Sequence, residues 1–240
     1  MKTIGIIGFG SFGKFLAEQL DADSDVRVYS NSQKQNAWSR ELHEVARADY
    51  ILLAVPLAAY ESVLNQLKPL LSKHSILVDV CSVKQESVKL IKKVLPTQQL
   101  VATHPLFGPQ TADQLAGQTI VLCPEVSDRR ALQEVEVLAK KFRLKIMYMS
   151  AKEHDQEMAV VQGLTFYIAH ILKNMNLHEP VLNTPSFKRL LHLAELEAEH
   201  SEELFYTIQA GNPETQNVRK QFIKYALQLE EKIKAQNKSA

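Results

Sequence analysis

Seven short runs of aliphatic and β-branched residues, set apart by longer stretches of helical periodicity, fill the first 149 residues of this chain. The runs lie at 3–7, 26–30, 50–55, 76–80, 100–103, 119–123 and 145–149, and several are apolar almost throughout. A strand is apolar on both sides only when both faces of its sheet are covered, which is the habit of parallel sheets flanked by helices. Helices are expected between the runs at 11–20, 58–71, 84–94 and 128–142. The alternation specifies an α/β chain with a Rossmann-type, doubly wound and mainly parallel sheet.

The pattern changes at Ser150. Ser150 and Glu153 form a capping box, in which a hydroxyl and a carboxylate answer each other's free amides at a helix start. Met158, Val161, Thr165, Ile168, Leu172 and Met175 then recur at spacings of three and four, and Val160, Leu164, Tyr167 and Ile171 make a second stripe. A helix so apolar is expected to be buried between layers or subunits. Thr184-Pro185 begins another helix expected to run towards Ala210. Gly211-Asn212-Pro213 breaks it, and a last helix carries Val218, Phe222, Tyr225, Leu229 and Ile233 on one face. The expected division is a dinucleotide-binding domain over 1–150 and a small all-helical domain over 151–240. The second is too small for much core of its own. Its apolar surplus suggests packing against the first domain, a second subunit or both, and it is expected to serve as a substrate and dimerisation domain of a homodimer.

Composition narrows the function classes. The apolar share is 45%, the charged share 23% and the formal net charge +1. No basic excess marks a nucleic-acid binder, and no apolar run approaches the roughly 18 residues of a membrane helix. Met1-Lys2-Thr3 leads into an apolar run too short for a signal peptide. Cys81 and Cys123 have neither disulfide nor metal spacing and read as buried thiols in a reducing compartment. A cytoplasmic protein is expected, with no nucleic-acid or membrane partner.

Two motifs carry the chemistry. Gly8-Phe9-Gly10-Ser11-Phe12-Gly13 satisfies G-x-G-x-x-G with a strand before it and a helix after it. The first glycine makes the turn, the second admits a pyrophosphate and the third lets helix and strand pack closely. At the end of the second strand an NAD site normally places Asp or Glu against the ribose hydroxyl. Here stand Ser30, Asn31 and Ser32 with Lys34 beyond, and no carboxylate to repel a phosphate. NADP is therefore the expected cofactor, with NAD as the alternative. The second motif is Thr103-His104-Pro105-Leu106-Phe107-Gly108-Pro109, read as a strand running out into a stiff loop. His104 and Ser82, which follows the fourth strand, should both lie outside the carboxyl ends of the strands, where ligands of such sheets bind. An imidazole titrates near neutrality and suits the proton of an alcohol whose carbon gives up hydride.

These motifs, in this order, together with Val78-Asp79-Val80-Cys81-Ser82-Val83-Lys84, Glu153-His154-Asp155 and the stretch from Asn183 to Leu191, resemble the prephenate/arogenate dehydrogenase family, particularly its compact plant type. The resemblance spans nearly the whole chain. It implies oxidative decarboxylation of a cyclohexadienol in tyrosine biosynthesis, with no metal required. His104 would accept the hydroxyl proton and Ser82 would hold both imidazole and hydroxyl in line. Gln162 matches a family glutamine and is assigned to the substrate. Many prephenate-specific members carry a histidine in the long helix and an arginine in the next, where this chain has Phe166 and Lys188. Lys188 keeps the charge of a substrate-carboxylate partner but loses the bidentate fork.

Arogenate bears an ammonium that Asp155 could face, but acids are common in a first helical turn for dipole reasons, and His154 with Asp155 is read as helix-start chemistry. Two alternatives remain open. One is another NADP-dependent hydroxyacid or imine oxidoreductase, for which no lysine stands in the middle of the long helix. The other is a nucleotide-binding regulatory protein that has lost turnover.

Overall fold

The computed structural model describes residues 2–31, 36–109, 113–177 and 180–239. Its strands are β1 (Thr3–Ile7), β2 (Asp25–Tyr29), β3 (Tyr50–Leu53), β4 (Ile76–Asp79), β5 (Gln99–Pro105), β6 (Thr119–Leu122) and β7 (Lys145–Tyr148). They form a seven-stranded sheet in the order β2-β1-β3-β4-β5-β6-β7. From β2 to β5 all pairs are parallel; β6 runs antiparallel to β5, and β7 parallel to β6. Strand order reverses between β1 and its neighbours β2 and β3, so the crevice at the carboxyl end of β1 is a topological switch point.

Period-two alternation splits the strands' apolar residues between two faces. Ile4, Ile6, Tyr50, Leu52 and Val78 join α1 (Ser11–Leu20) and α5 (Arg129–Lys141) in one buried cluster. Ile7, Ile51, Leu53 and Leu77 join α3 (Tyr60–Leu67) and α4 (Gln85–Val94) in the other. A short helix, α2 (Leu42–Val45), stands where the sequence suggested none, closed by a capping box between Glu41 and Glu44.

The chain divides into two compact units, Met1–His154 and Asp155–Ala240. The division falls inside α6 (Ala151–Met158), four residues beyond the expected boundary, and so leaves His154 with the sheet.

In the second unit the long helix is interrupted. Residues Ala159–Leu164 form a π-helical segment before α7 (Thr165–Asn174). The Gly163 carbonyl there accepts from Gln209 Nε2 at 2.6 Å. A side chain at Gly163 would put its Cβ 2.7 Å from Thr215 Cγ2, so only glycine allows this approach. The helix expected to reach Ala210 is instead two: α8 (Pro185–Ala198) and α9 (Glu202–Gly211), the latter capped by Ser201 Oγ accepting from the Leu204 amide. A serine that satisfies free amides makes a restart cheaper than a continuous helix. The chain ends in α10 (Thr215–Ser239). No helix among the described residues is long and apolar enough to cross a membrane.

Candidate active site

The turn after β1 is built by its glycines. Gly8 has φ +105°, and a Cβ there would lie 2.3 Å from the Ala54 carbonyl oxygen. A Cβ at Gly13 would lie 2.3 Å from the Gly8 carbonyl oxygen, so α1 can sit this close only without one. Gly10 differs: nothing stands within 4 Å of its Cβ position. Close packing therefore explains the outer two glycines, and open space for a ligand explains the middle one. Gly10 also begins α1 without a side-chain cap, and the first turn carries no acid, so Ser11, Phe12 and Gly13 bring uncapped amides and the positive end of the helix dipole to that space. The residues present fit a pyrophosphate. Phe9 leans on Trp38, with ring centroids 6.1 Å apart, a wall that the glycine pattern did not disclose.

At the end of β2, Tyr29 Oη donates to Asn31 Oδ1 at 2.6 Å. Ser32 lies outside the described residues. The returning loop brings Arg40 back beside β2, its amide bonded to the Val28 carbonyl. The guanidinium is exposed and donates to the Ala37 and Ser39 carbonyls. Arg40 was missed as a cofactor candidate. A lone arginine eleven residues past the strand carries no motif, and only the bridge between Val28 and Ser39 returns it to the strand.

His104 lies within β5, not in the loop after it, because β6 pairs with the strand as far as Pro105. Parallel pairing of β4 and β5 ends at Asp79 opposite Ala102, so His104 stands two residues past the end of β4. It is 4% exposed. Its Nδ1 lies 2.8 Å from Nε2 of His154, which is wholly buried. Ser82, half-buried in the turn after β4, makes no hydrogen bond to the ring among the described residues. Among the described residues, the hydrogen-bond partner of the ring is His154 rather than Ser82. His154 and Asp155, read as helix-start residues, do lie near the start of α6, and both are 0% exposed, which that reading did not foresee. Glu153 does cap the helix, through Ser150, as expected.

Beneath His104 lies a buried charge. The Asp79 carboxylate receives Tyr60 Oη at 2.8 Å, the Cys81 amide at 3.0 Å, Lys84 Nζ at 2.5 Å and Ser87 Oγ at 2.6 Å. Lys84 Nζ also donates to the Thr103 carbonyl, the peptide oxygen just before His104. A buried pair with its hydrogen bonds satisfied is a rigid anchor, and this one ties the ends of β4 and β5 together. Burial, then the Asp79 charge, pushes the Tyr60 hydroxyl well above its ordinary range. Burial first, then His154 and then Lys84 hold the His104 imidazole well below its ordinary value, so the ring is neutral at neutral pH.

Gln162 and Lys188 belong to the second unit. Gln162 sits in the π-helical segment, and its Oε1 is buried without a hydrogen-bond partner among the described residues. Lys188 is exposed on α8. Phe166 packs on His200 with ring centroids 4.7 Å apart.

Comparison with known proteins supplies the family. The chain is 28% identical over 228 residues to arogenate dehydrogenase 2, chloroplastic, of Arabidopsis thaliana, covering 88% of this chain and 64% of that protein. It is 24% identical to a probable arogenate/prephenate dehydrogenase of Methanocaldococcus jannaschii, covering 97% and 57%. The chain thus spans less than two thirds of the length of these relatives. Its fold matches the crystal structure of prephenate dehydrogenase from A. aeolicus in complex with hydroxyphenyl propionate and NAD+, with a TM-score of 0.77, 19% identity, and coverage of 99% of this chain and 92% of that one. Residues 21–148 match the model of the prephenate dehydrogenase nucleotide-binding domain, more than half of the sequence, and the chain belongs to the prephenate dehydrogenase family.

Proposed function

We propose that this chain catalyses oxidative decarboxylation of prephenate or arogenate with NADP as the preferred acceptor. Family membership supports the reaction class. The observation that carries the residue assignment is the setting of His104. It is a neutral, buried imidazole past the carboxyl end of β4, on the sheet edge to which the Gly10 turn also belongs, and no hydrogen bond reaches its Nε2 among the described residues.

The substrate hydroxyl donates to His104 Nε2, with Ser82 Oγ bonding the same oxygen. As the carbinol carbon gives up hydride, Nε2 takes the hydroxyl proton, so that no full charge builds on oxygen. Loss of carbon dioxide from the ring carboxylate then sends its electron pair into the ring, and the resulting phenolate takes the proton back from His104 Nε2. The aromatic phenol so formed makes the reaction strongly downhill. When bound, the nicotinamide supplies the hydride acceptor. Backbone amides from Phe9 to Gly13 hold its pyrophosphate, while Ser30, Asn31, Ser32 and Arg40 serve the 2′-phosphate. Gln162, with its unpartnered buried oxygen, and Lys188 serve the substrate's polar groups. The helical unit pairs with a second copy of the chain; its exposed apolar residues support that reading.

The test is reduction of NADP, then of NAD, with prephenate and separately with arogenate, followed by the absorbance of the reduced nicotinamide. Turnover with at least one substrate is expected. Tight cofactor binding without reduction by either would overturn the activity and favour a nucleotide-binding regulator. Tighter binding of NAD than of NADP would overturn the cofactor preference alone.

A further inference from the structure

We infer that His154 is a positioning residue whose Nε2 accepts a hydrogen bond from His104 Nδ1–H and thereby leaves His104 Nε2 as the bare, proton-accepting nitrogen. This rests on the base role proposed for His104, but its core claim concerns a tautomer and can be read without substrate.

The two nitrogens are 2.8 Å apart, and the rings meet edge-on, with centroids 5.0 Å apart and planes at 76°. At that separation one proton must lie between them. Two bare nitrogens would set lone pair against lone pair, and two N–H groups would collide. The tautomers of the two rings are therefore coupled. Either His104 carries its proton on Nδ1 and its Nε2 is bare, or His154 Nε2 donates and the His104 proton sits on Nε2. Only the first arrangement gives a ring that can take a proton from an alcohol.

The charges around the pair explain why the orienting group is an imidazole. A carboxylate at this position would favour the imidazolium and raise its pKa. Among the described residues, the titratable groups that act on His104 are His154 from α6 and Lys84 from the turn after β4, with the Asp79 carboxylate receiving Lys84 and three other donors. None of these makes His104 a cation in the resting protein. A neutral acceptor such as His154 Nε2 fixes the tautomer without that penalty. The identity of the second ring is thus matched to a base that must be unprotonated before substrate arrives.

The experiment uses the full chain with nitrogen-15-labelled histidine, and long-range proton–nitrogen NMR spectra at neutral pH. His104 should appear as the Nδ1–H tautomer in the wild type. His154→Leu removes the acceptor; it should give a mixture of His104 tautomers and lower kcat by about 10- to 100-fold, the usual worth of a group that orients a functional imidazole. KM and cofactor affinity should be near normal. His154→Gln keeps an acceptor oxygen and should recover the Nδ1–H tautomer and most of kcat, which a purely space-filling role would not predict. A wild-type His104 that carries its proton on Nε2 would overturn the inference. So would a His154→Leu protein, folded by circular dichroism, whose tautomer and kcat are unchanged, or a His154→Gln protein no better than His154→Leu. An Nδ1–H signal in a protein that turns over neither substrate would reject the proposed activity and leave the tautomer assignment standing.

Discussion

Lys84 lies at 0% exposure in the sheet unit and spends its ammonium on two buried acceptors, whereas the helical unit leaves Val160, Val161, Met175, Tyr225, Leu227 and Leu229 more than half exposed. The contrast runs against simple hydrophobic sorting, with a charge inside one unit and aliphatic side chains outside the other. It has a physical basis. The sheet has two faces, each covered by helices, and enough interior to enclose a hydrogen-bonded ion pair. The helical unit has few layers, and both stripes of the helix expected to be buried are exposed in part, at Val161 and Met175 in one and at Val160 and Ile171 in the other. What this teaches is that the sheet unit has interior enough to hold a satisfied charge, while the helical unit carries apolar area that a second copy would cover under the proposed dimer.

The sharpest way to break this comparison is at His104. His104→Asn should lower turnover by roughly two to four orders of magnitude with cofactor affinity unchanged, measured by steady-state kinetics and cofactor titration. Near-normal turnover would move the chemistry out of the sheet unit. Lys84→Met comes next. It strands the Asp79 carboxylate in the interior, and urea unfolding should show a loss of about 3–5 kcal/mol. A loss below about 1 kcal/mol would mean that the buried pair is no anchor.

In the helical unit, Leu229→Glu combined with Ile233→Glu should weaken self-association by about tenfold or more in light scattering, leaving cofactor affinity intact. A wild-type chain already monomeric at micromolar concentration would remove the cover proposed for that face. The smallest effect is acid sensitivity. Burial depresses the His104 and His200 imidazoles, one in each unit. Unfolded histidines take up protons near pH ~6.5, above the folded values, so this stability is present above that pH and is lost as pH falls through it. The urea midpoint should fall on acidification, and His104→Asn should flatten the dependence more than His200→Asn, because His104 is the more deeply buried.

Particular residues show where reading a sequence succeeds. Ser11–Leu20 forms a helix over the expected span, and the seven strands lie where the apolar runs placed them to within one or two residues at nearly every end. Apolar periodicity and glycine turns are local signals, and the sheet needs little more. The end of β5 escaped because Pro105 lacks an amide to donate and reads as a break, yet it is tolerated at a strand terminus. The restart at Ser201 was within reach, since a serine followed by Glu202 and Glu203 is a helix-start signal. A long charged stretch concealed it.

The dinucleotide turn, the alternation of strand and helix, and the placing of His104 at a sheet edge were determined by the sequence alone, because each depends on residues close together in the chain and on the fixed geometry of parallel strands. The joining of His154 to His104 across 50 residues, and of Lys84 to both Asp79 and the strand before His104, was decided only by the tertiary structure. A capping box read locally accounts for Glu153 in full and says nothing of the neighbouring side chain, which points the other way. Buried polar groups must find partners wherever the fold brings them, and no periodicity encodes which distant residue that will be.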